Sequence, residues 1–393
     1  GSGPRDPPRP QPERRRHVAD HRPLHPALRA AVRRGLPGID VSAGPVPIGD
    51  DDAPDVLARA RFDRTTGFLA AALLDGSIAA TDDTVDAASI DWQRSLQAAV
   101  LVEAFAVRTA AVLDDAGVRW RLTKGAALAH LDYRDRLAER TFGDVDLVIH
   151  PDDWASCLGA LNSAGLRRPA PELRPGYDRR FGKGATLVDA REWEIDLHLR
   201  FAIGRFGVRA RMEELFERQD EIELAGRTIP VLDGPDRLLH ACHHLVLGGF
   251  SALRVARDVA QLVLVSEVDW ETTAATASAW HVDAVVASGI TQAWQRLELD
   301  VDHPAHDWAV QHPISRGDAR AIDVFTEERP FRNQALTAVP ALAWHRIPGY
   351  LFALGFPGTD SLRERGRRPL DHVRRSASRL GQRARVGSNG NRN

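Results

Sequence analysis

The stretch Arg140-Thr-Phe-Gly-Asp144-Val-Asp146-Leu-Val-Ile149 restricts this chain more than any other. Its alternation of acidic and apolar residues has the period of a β-strand, on which residues i and i+2 share a face. Asp144 and Asp146 therefore stand together, opposite Val145, Leu147 and Ile149. The apolar side asks for a covered sheet. The acidic side carries two neighbouring carboxylates, which repel each other unless a cation neutralises them. A solvated polar strand face is the plainer alternative.

The surroundings supply an α/β frame. Val118–Leu122 alternates as a strand, Lys124-Gly125 makes a turn, and Ala126–Tyr133 reads as a helix. Pro151-Asp-Asp-Trp154 opens a helix running to Ala164, with proline and acidic residues in its first turn. Tyr177–Val188 and Glu192–Phe201 are predicted strands joined at Asp189-Ala190-Arg191. In the second, Trp193, Ile195, Leu197 and Leu199 share one face, while Glu194, Asp196, His198 and Arg200 share the other. A helix at Val208–Arg218 and a strand at Ile222–Ile229 complete this section.

Helical spacing governs both flanks. Apolar stripes recur around 53–80 and over Ile90–Ala116, and these helices are expected to build core rather than carry chemistry. From Pro235 the pattern turns helical again, with segments such as Asp236–Gly248, Leu253–Val265, Val282–Leu297, Arg316–Phe325 and Pro369–Leu380. The division expected is a disordered Pro/Arg-rich tail over 1–50 with a short helix at Pro26–Arg34, N-terminal helices over 51–117, an α/β core over 118–232, a helical domain over 233–380 and a disordered tail over 381–393. The fold class is α+β with a mixed sheet.

Composition narrows the partners. A net charge of −2 over 393 residues gives no global drive toward nucleic acid. Two cysteines, Cys157 and Cys242, form no disulfide framework, and no apolar run of membrane-spanning length stands out, so a cytoplasmic location away from membranes is expected. Nearly every basic residue is arginine; Lys124 and Lys183 are the only lysines. A lysine retained under such bias suits a compact point charge on a phosphate.

Several of these segments together resemble the uncharacterised nucleotidyltransferase family of the polymerase-β-like nucleotidyltransferase superfamily, over roughly residues 60–380. They are Lys124-Gly125-Ala-Ala-Leu, Arg140 ahead of Asp144-Val-Asp146-Leu-Val, and Glu194-Ile-Asp196-Leu-His198-Leu-Arg200. The helical half adds Asp236-Arg-Leu-Leu-His240-Ala-Cys-His243 with Arg254 and Asp258, and later Phe356-Pro357 with Leu362-Arg363. The resemblance implies a polymerase-β-like core that moves a nucleoside monophosphate from a nucleoside triphosphate (NTP) to an acceptor. The superfamily's usual Gly-Ser or Gly-Gly turn is Lys-Gly-Ala here, so phosphate gripping falls to backbone N–H groups and Lys124.

Roles follow from that reading. Asp144, Asp146 and Asp196 are the candidate catalytic carboxylates and ligands of Mg²⁺, two ions being expected. Lys124, Gly125, Arg140, Lys183 and Arg254 are candidates for holding the nucleotide, although Lys183 in Gly-Lys-Gly also reads as a surface turn, Arg140 as a partner of Asp144, and Arg254 as a helix-surface partner of Asp258. His198 and His243 are candidate substrate contacts. His240, His243 and His244 share a helix face, but no second cluster completes a tetrahedral zinc site. The acceptor favoured is a small molecule or natural-product intermediate. Transfer to tRNA or protein stays open because of Arg-rich runs near Arg14–Arg16 and 363–385, and a non-catalytic scaffold is the third alternative.

Overall fold

The computed structural model describes residues 24–39, 44–248, 253–266 and 268–364. Four helices lead: α1 (Pro26–Arg33), α2 (Ala53–Phe62), α3 (Thr66–Leu74) and the long α4 (Asp82–Asp115). Among them runs a parallel two-stranded ribbon of β1 (Val46–Pro47) and β2 (Ile78–Ala79). Helix α1 is the short helix expected, but it is no tail element: Ala27, Leu28, Ala31 and Val32 are fully buried against the helical core. The rest of the expected N-terminal tail, before residue 24, lies outside the described residues, as do the Pro369–Leu380 helix and the C-terminal tail.

Six strands then form one mixed sheet: β3 (Trp120–Thr123), β4 (Val145–Ile149), β5 (Gly184–Val188), β6 (Glu194–His198), β7 (Asp220–Leu224) and β8 (Arg227–Val231). Their spatial order is β5-β6-β4-β3-β8-β7. The β4–β6 and β3–β8 pairs are parallel; β3–β4, β5–β6 and β7–β8 are antiparallel. Between the strands lie α5 (Gly125–Asp132), α6 (Trp154–Ser163), α7 (Tyr177–Phe181) and α8 (Gly204–Arg209). Three expectations change here. The helix expected at Val208–Arg218 is instead the end of α8 followed by a separate 3-10 turn at Met212–Phe216. Tyr177–Val188 is a short helix followed by a strand, and the single strand at Ile222–Ile229 is a hairpin turning at Ala225-Gly226, both with positive φ.

The helical half comprises α9 (Gly234–Leu247), α10 (Leu253–Leu264), α11 (Trp270–Ala279), α12 (Asp283–Leu297), α13 (Pro304–Gln311), α14 (Arg316–Thr326), α15 (Phe331–Leu336), α16 (Ile347–Gly355) and α17 (Thr359–Glu364). Helix α9 starts cleanly because the Asp233 side chain accepts from the Asp236 N–H and Pro235 occupies the first turn.

The sheet has two unlike faces. On one, Val145, Leu147, Ile149, Ile195 and Leu197 are buried under α4 and α6. Each such side chain contributes about 1.5–3 kcal/mol by leaving water. Among the described residues α4 alone is long and apolar enough to cross a membrane on length and composition. Its inner face, including Val102, Phe105 and Leu113, is packed into the sheet core. The other sheet face carries the acidic residues and is roofed by α5, α9 and α10.

Candidate active site

Strand register alone assembles a polar row. Thr123 on β3 is opposite Asp146 on β4, Asp146 opposite Asp196 on β6, and Asp196 opposite Thr186 on β5. Four adjacent strands thus present four polar side chains on the face away from α4, because each sits at the same phase of the pleat. The Thr186 hydroxyl donates to Asp196 Oδ1 at 2.5 Å. His198, two residues beyond Asp196, shares its face and its Nε2 lies 2.7 Å from Asp146 Oδ1. Asp146, Asp196 and His198 each offer a ligand atom within 4.8 Å of the others.

Asp144 departs from that set. It precedes the strand rather than lying in it, and its carboxylate pairs with the Arg64 guanidinium at 3.2 Å. Arg64 follows α2, a region expected to carry no chemistry. Nothing in its local sequence marks it; only the packing of α2 and α3 against α4, and of α3 against the 134–139 turn, brings it to the site.

Lys124 pairs with Asp146 and lies 3.3 Å from His198 Nε2. Its backbone is at φ 55°, ψ −130°, a region that side-chain-bearing residues avoid. The strain sits on the lysine, not on the glycine after it. Gly125 is required for another reason: a Cβ there would lie 2.9 Å from Phe142 Cβ. The pair directs the N-terminus of α5 into a cavity of about 480 Å³. That is within the range of small-ligand sites.

The same cavity is lined by Arg64, Thr123, Lys124, Asp144, Asp146 and Asp196, and also by Lys183, by His240, His243 and His244 of α9, and by Arg254 of α10. Both lysines of the chain therefore open onto it. Lys183 is exposed, as the surface reading of Gly-Lys-Gly has it, and it also lines the cavity. The protein around it pushes its amine down to about 8.

Electrostatics separate the two sides. Burial alone would raise the Asp146 carboxyl, but the Lys124 ammonium and the His198 hydrogen bond outweigh it and hold the group well below the carboxylate range. Burial pushes the His198 and His243 imidazoles down to about 4, so both are neutral at pH 7. His243 Nδ1 donates to the Leu239 carbonyl at 2.8 Å, leaving its buried Nε2 without a partner among the described residues.

Arg140 is placed differently from its expected pairing with Asp144. Its Nε and Nη2 donate to Asp258 at 2.7 and 2.8 Å, and Nη1 donates to the Thr141 carbonyl. The guanidinium is thereby paired with Asp258 rather than Asp144, while the residue also lines the cavity. Asp258 also accepts from the Tyr133 hydroxyl at 2.9 Å. The expected Arg254–Asp258 pair does not form, since Asp258 is turned to Arg140. Arg254 faces the cavity with no carboxylate partner among the described residues, and burial pushes its guanidinium down to about 9. A second buried pin, Arg237 to Asp132 at 3.0 Å, ties α9 to α5. Together these pairs fix the helical roof over the acidic row.

The donor chemistry fits a divalent cation. Two carboxylates suit Mg²⁺ or Mn²⁺, and a neutral imidazole beside them is a competent third ligand. A buried carboxylate that needs Lys124 to compensate it is a position a metal ion can equally neutralise.

The family model described as an uncharacterised nucleotidyltransferase matches residues 49–298, and the chain belongs to that family. No curated protein matches the chain. Membership supports nucleotidyl transfer as its chemistry, and the matched span holds every residue of the acidic row.

Proposed function

We propose that this chain is a divalent-metal-dependent nucleotidyltransferase with a polymerase-β-like core. It would move a nucleoside monophosphate from an NTP to a hydroxyl or phosphate of a small acceptor, releasing pyrophosphate. The observation that carries the reading is the convergence of Asp146 and Asp196 from neighbouring strands in a cavity that both lysines line.

Asp146, Asp196 and His198 would hold one ion, and Asp144, once released by Arg64, would help hold a second. The Arg64–Asp144 pair is half exposed, so its release costs less than about 1 kcal/mol. The ions supply charge neutralisation at the reacting phosphate. The remaining work belongs to the side chains. Lys124, which pairs with Asp146, and the α5 N-terminus would receive the phosphates. Arg254 and Arg64 add cationic donors, and Lys183 closes over the nucleotide. Asp196 has Oδ1 engaged by Thr186, which leaves Oδ2 for the ion, and the acceptor's hydroxyl proton passes to solvent as its oxygen bonds to the α-phosphorus and the bond to the β-phosphate breaks. Catalysis is then mainly positioning and electrostatics.

The test is equilibrium binding of labelled ATP and GTP with Mg²⁺ or Mn²⁺, followed by pyrophosphate release with candidate acceptors. D146N and D196N should lose metal-dependent binding at least tenfold. If wild type binds no NTP, or both variants bind as well as wild type, the proposal fails. Specific labelling of tRNA would move the acceptor to nucleic acid.

A further inference from the structure

A second cavity, about 790 Å³ and larger than the first, opens on the far side of the segment that carries Lys183. Its walls come from the α7 region, the end of β6, the loop after α8, and α16 with the turn before it. The two cavities share one partition. Phe181 lines the second and Lys183 the first, two residues apart, and the Lys183 carbonyl accepts from the N–H groups of both Leu199 and Arg200, which line the second. Asp196, just before them on β6, lines the first.

Charge in this second cleft is unbalanced. Arg174, Arg179, Arg180, Arg200 and Arg346 line it, against the carboxylates of Asp152 and Glu213 alone. Arg200 is spent on structure: it donates to the carbonyls of Asp178, Arg179, Arg180 and Gly182, capping the C-terminal end of α7. That cap cancels the negative pole of the helix and leaves the floor of the cleft positive. Arg179 reaches Asp152 only at 3.7 Å. Arg180 and Arg346 form no ion pair among the described residues. Like charges gathered in a concavity repel, and the low-dielectric walls concentrate their field until an anion enters. Flat apolar surface lies beside them. Phe352 lines the cleft while remaining 52% exposed, with Arg174 stacked 4.6 Å over its ring, and Trp344 beside the cleft-lining His345 is 83% exposed.

We propose that this cleft binds a small phosphorylated molecule bearing a ring: phosphate on Arg180 and Arg346, ring beside the exposed aromatic edge of Phe352 and Trp344. The selectivity of the cleft for ring-bearing phosphates does not rest on the nucleotidyl-transfer reading.

The experiment is calorimetric titration of the full chain with phenyl phosphate in EDTA, and separately with Mg·ATP. Wild type should bind phenyl phosphate, and R180E/R346E should weaken it at least tenfold while Mg·ATP affinity stays within twofold. R180Q/R346Q replaces the reversal variant if the latter lowers the melting temperature. The proposal is overturned if wild type does not bind phenyl phosphate, if the variant binds it equally well, or if a 5′-phosphorylated RNA tetranucleotide binds tenfold more tightly through the same arginines. Loss of Mg·ATP binding alone, with phenyl phosphate binding intact, would count against the nucleotidyl-transfer reading and leave the cleft's selectivity standing.

Discussion

Asp258→Asn tests whether the helical roof is pinned to the sheet as the structure indicates. The Arg140 and Asp258 side chains are only 2% and 3% exposed, and the carboxylate accepts three hydrogen bonds, two from Arg140 and one from Tyr133. Burial would lower the Arg140 guanidinium, yet Asp258 raises it above its ordinary value, so the charge there is sustained by its partner. Asparagine preserves the volume and removes the charge, leaving a buried cation uncompensated. Breaking a buried pair this way costs about 3–5 kcal/mol. Domains of this kind hold about 5–15 kcal/mol in total, so the loss should be plain as a shift in the urea-unfolding midpoint. Tyr133→Phe deletes one hydrogen bond and should cost about 1 kcal/mol. R140M/D258L replaces both charges with apolar groups and should recover most of the loss. A D258N effect below about 1 kcal/mol, or a double variant no more stable than D258N, would refute the reasoning.

Three further outcomes follow from the same geometry. Burial depresses the imidazoles of His198, His240, His243 and His244, so the unfolded chain takes up protons first as pH falls. Stability should be complete above about pH 6.5 and fall toward pH 4 by about 1.4 kcal/mol per pH unit for each of His198 and His243, and a flat melting profile between pH 7 and 5 would contradict this. Lys124→Gly relieves about 1 kcal/mol of backbone strain but strands Asp146 at about 3–5 kcal/mol, a net loss that saturating Mg²⁺ should shrink; melting curves with and without the ion decide it. Gly125→Ala should cost about 1–3 kcal/mol from its clash with Phe142, with G125A/F142L recovering part in the same unfolding assay.

The acidic row was legible because alternation on a strand is local. Asp146 and Asp196 could be set face to face from their own segments, each flanked by apolar residues that had to point the other way. Arg64 could not, since its sequence neighbours belong to helices whose stripes speak only of core. Thr123 and Thr186 were equally hidden: a threonine in a strand acquires meaning only from register, which long-range pairing fixes. Arg140 and Asp258 lie far apart in sequence, so their union was invisible, and Asp258 was matched to the nearer Arg254 by helical spacing. The α7 error has a similar source. Tyr177 and Phe181 favour strands by propensity, and packing on Tyr350 of α16 overrides it.

With 50 arginines implied by 52 basic residues and two lysines, the chain has almost no primary amines. Those it has are Lys124 and Lys183, both lining one cavity. An amine-directed acylating reagent therefore becomes a reporter of that cavity without any engineering. Adducts beyond the N-terminus would all fall in the site, and a nucleotide seated there would shield them. Lysine-specific proteolysis of the denatured chain would cut only after 124 and 183, so a single small peptide spanning 125–183 would carry Asp144 and Asp146 and end on Lys183.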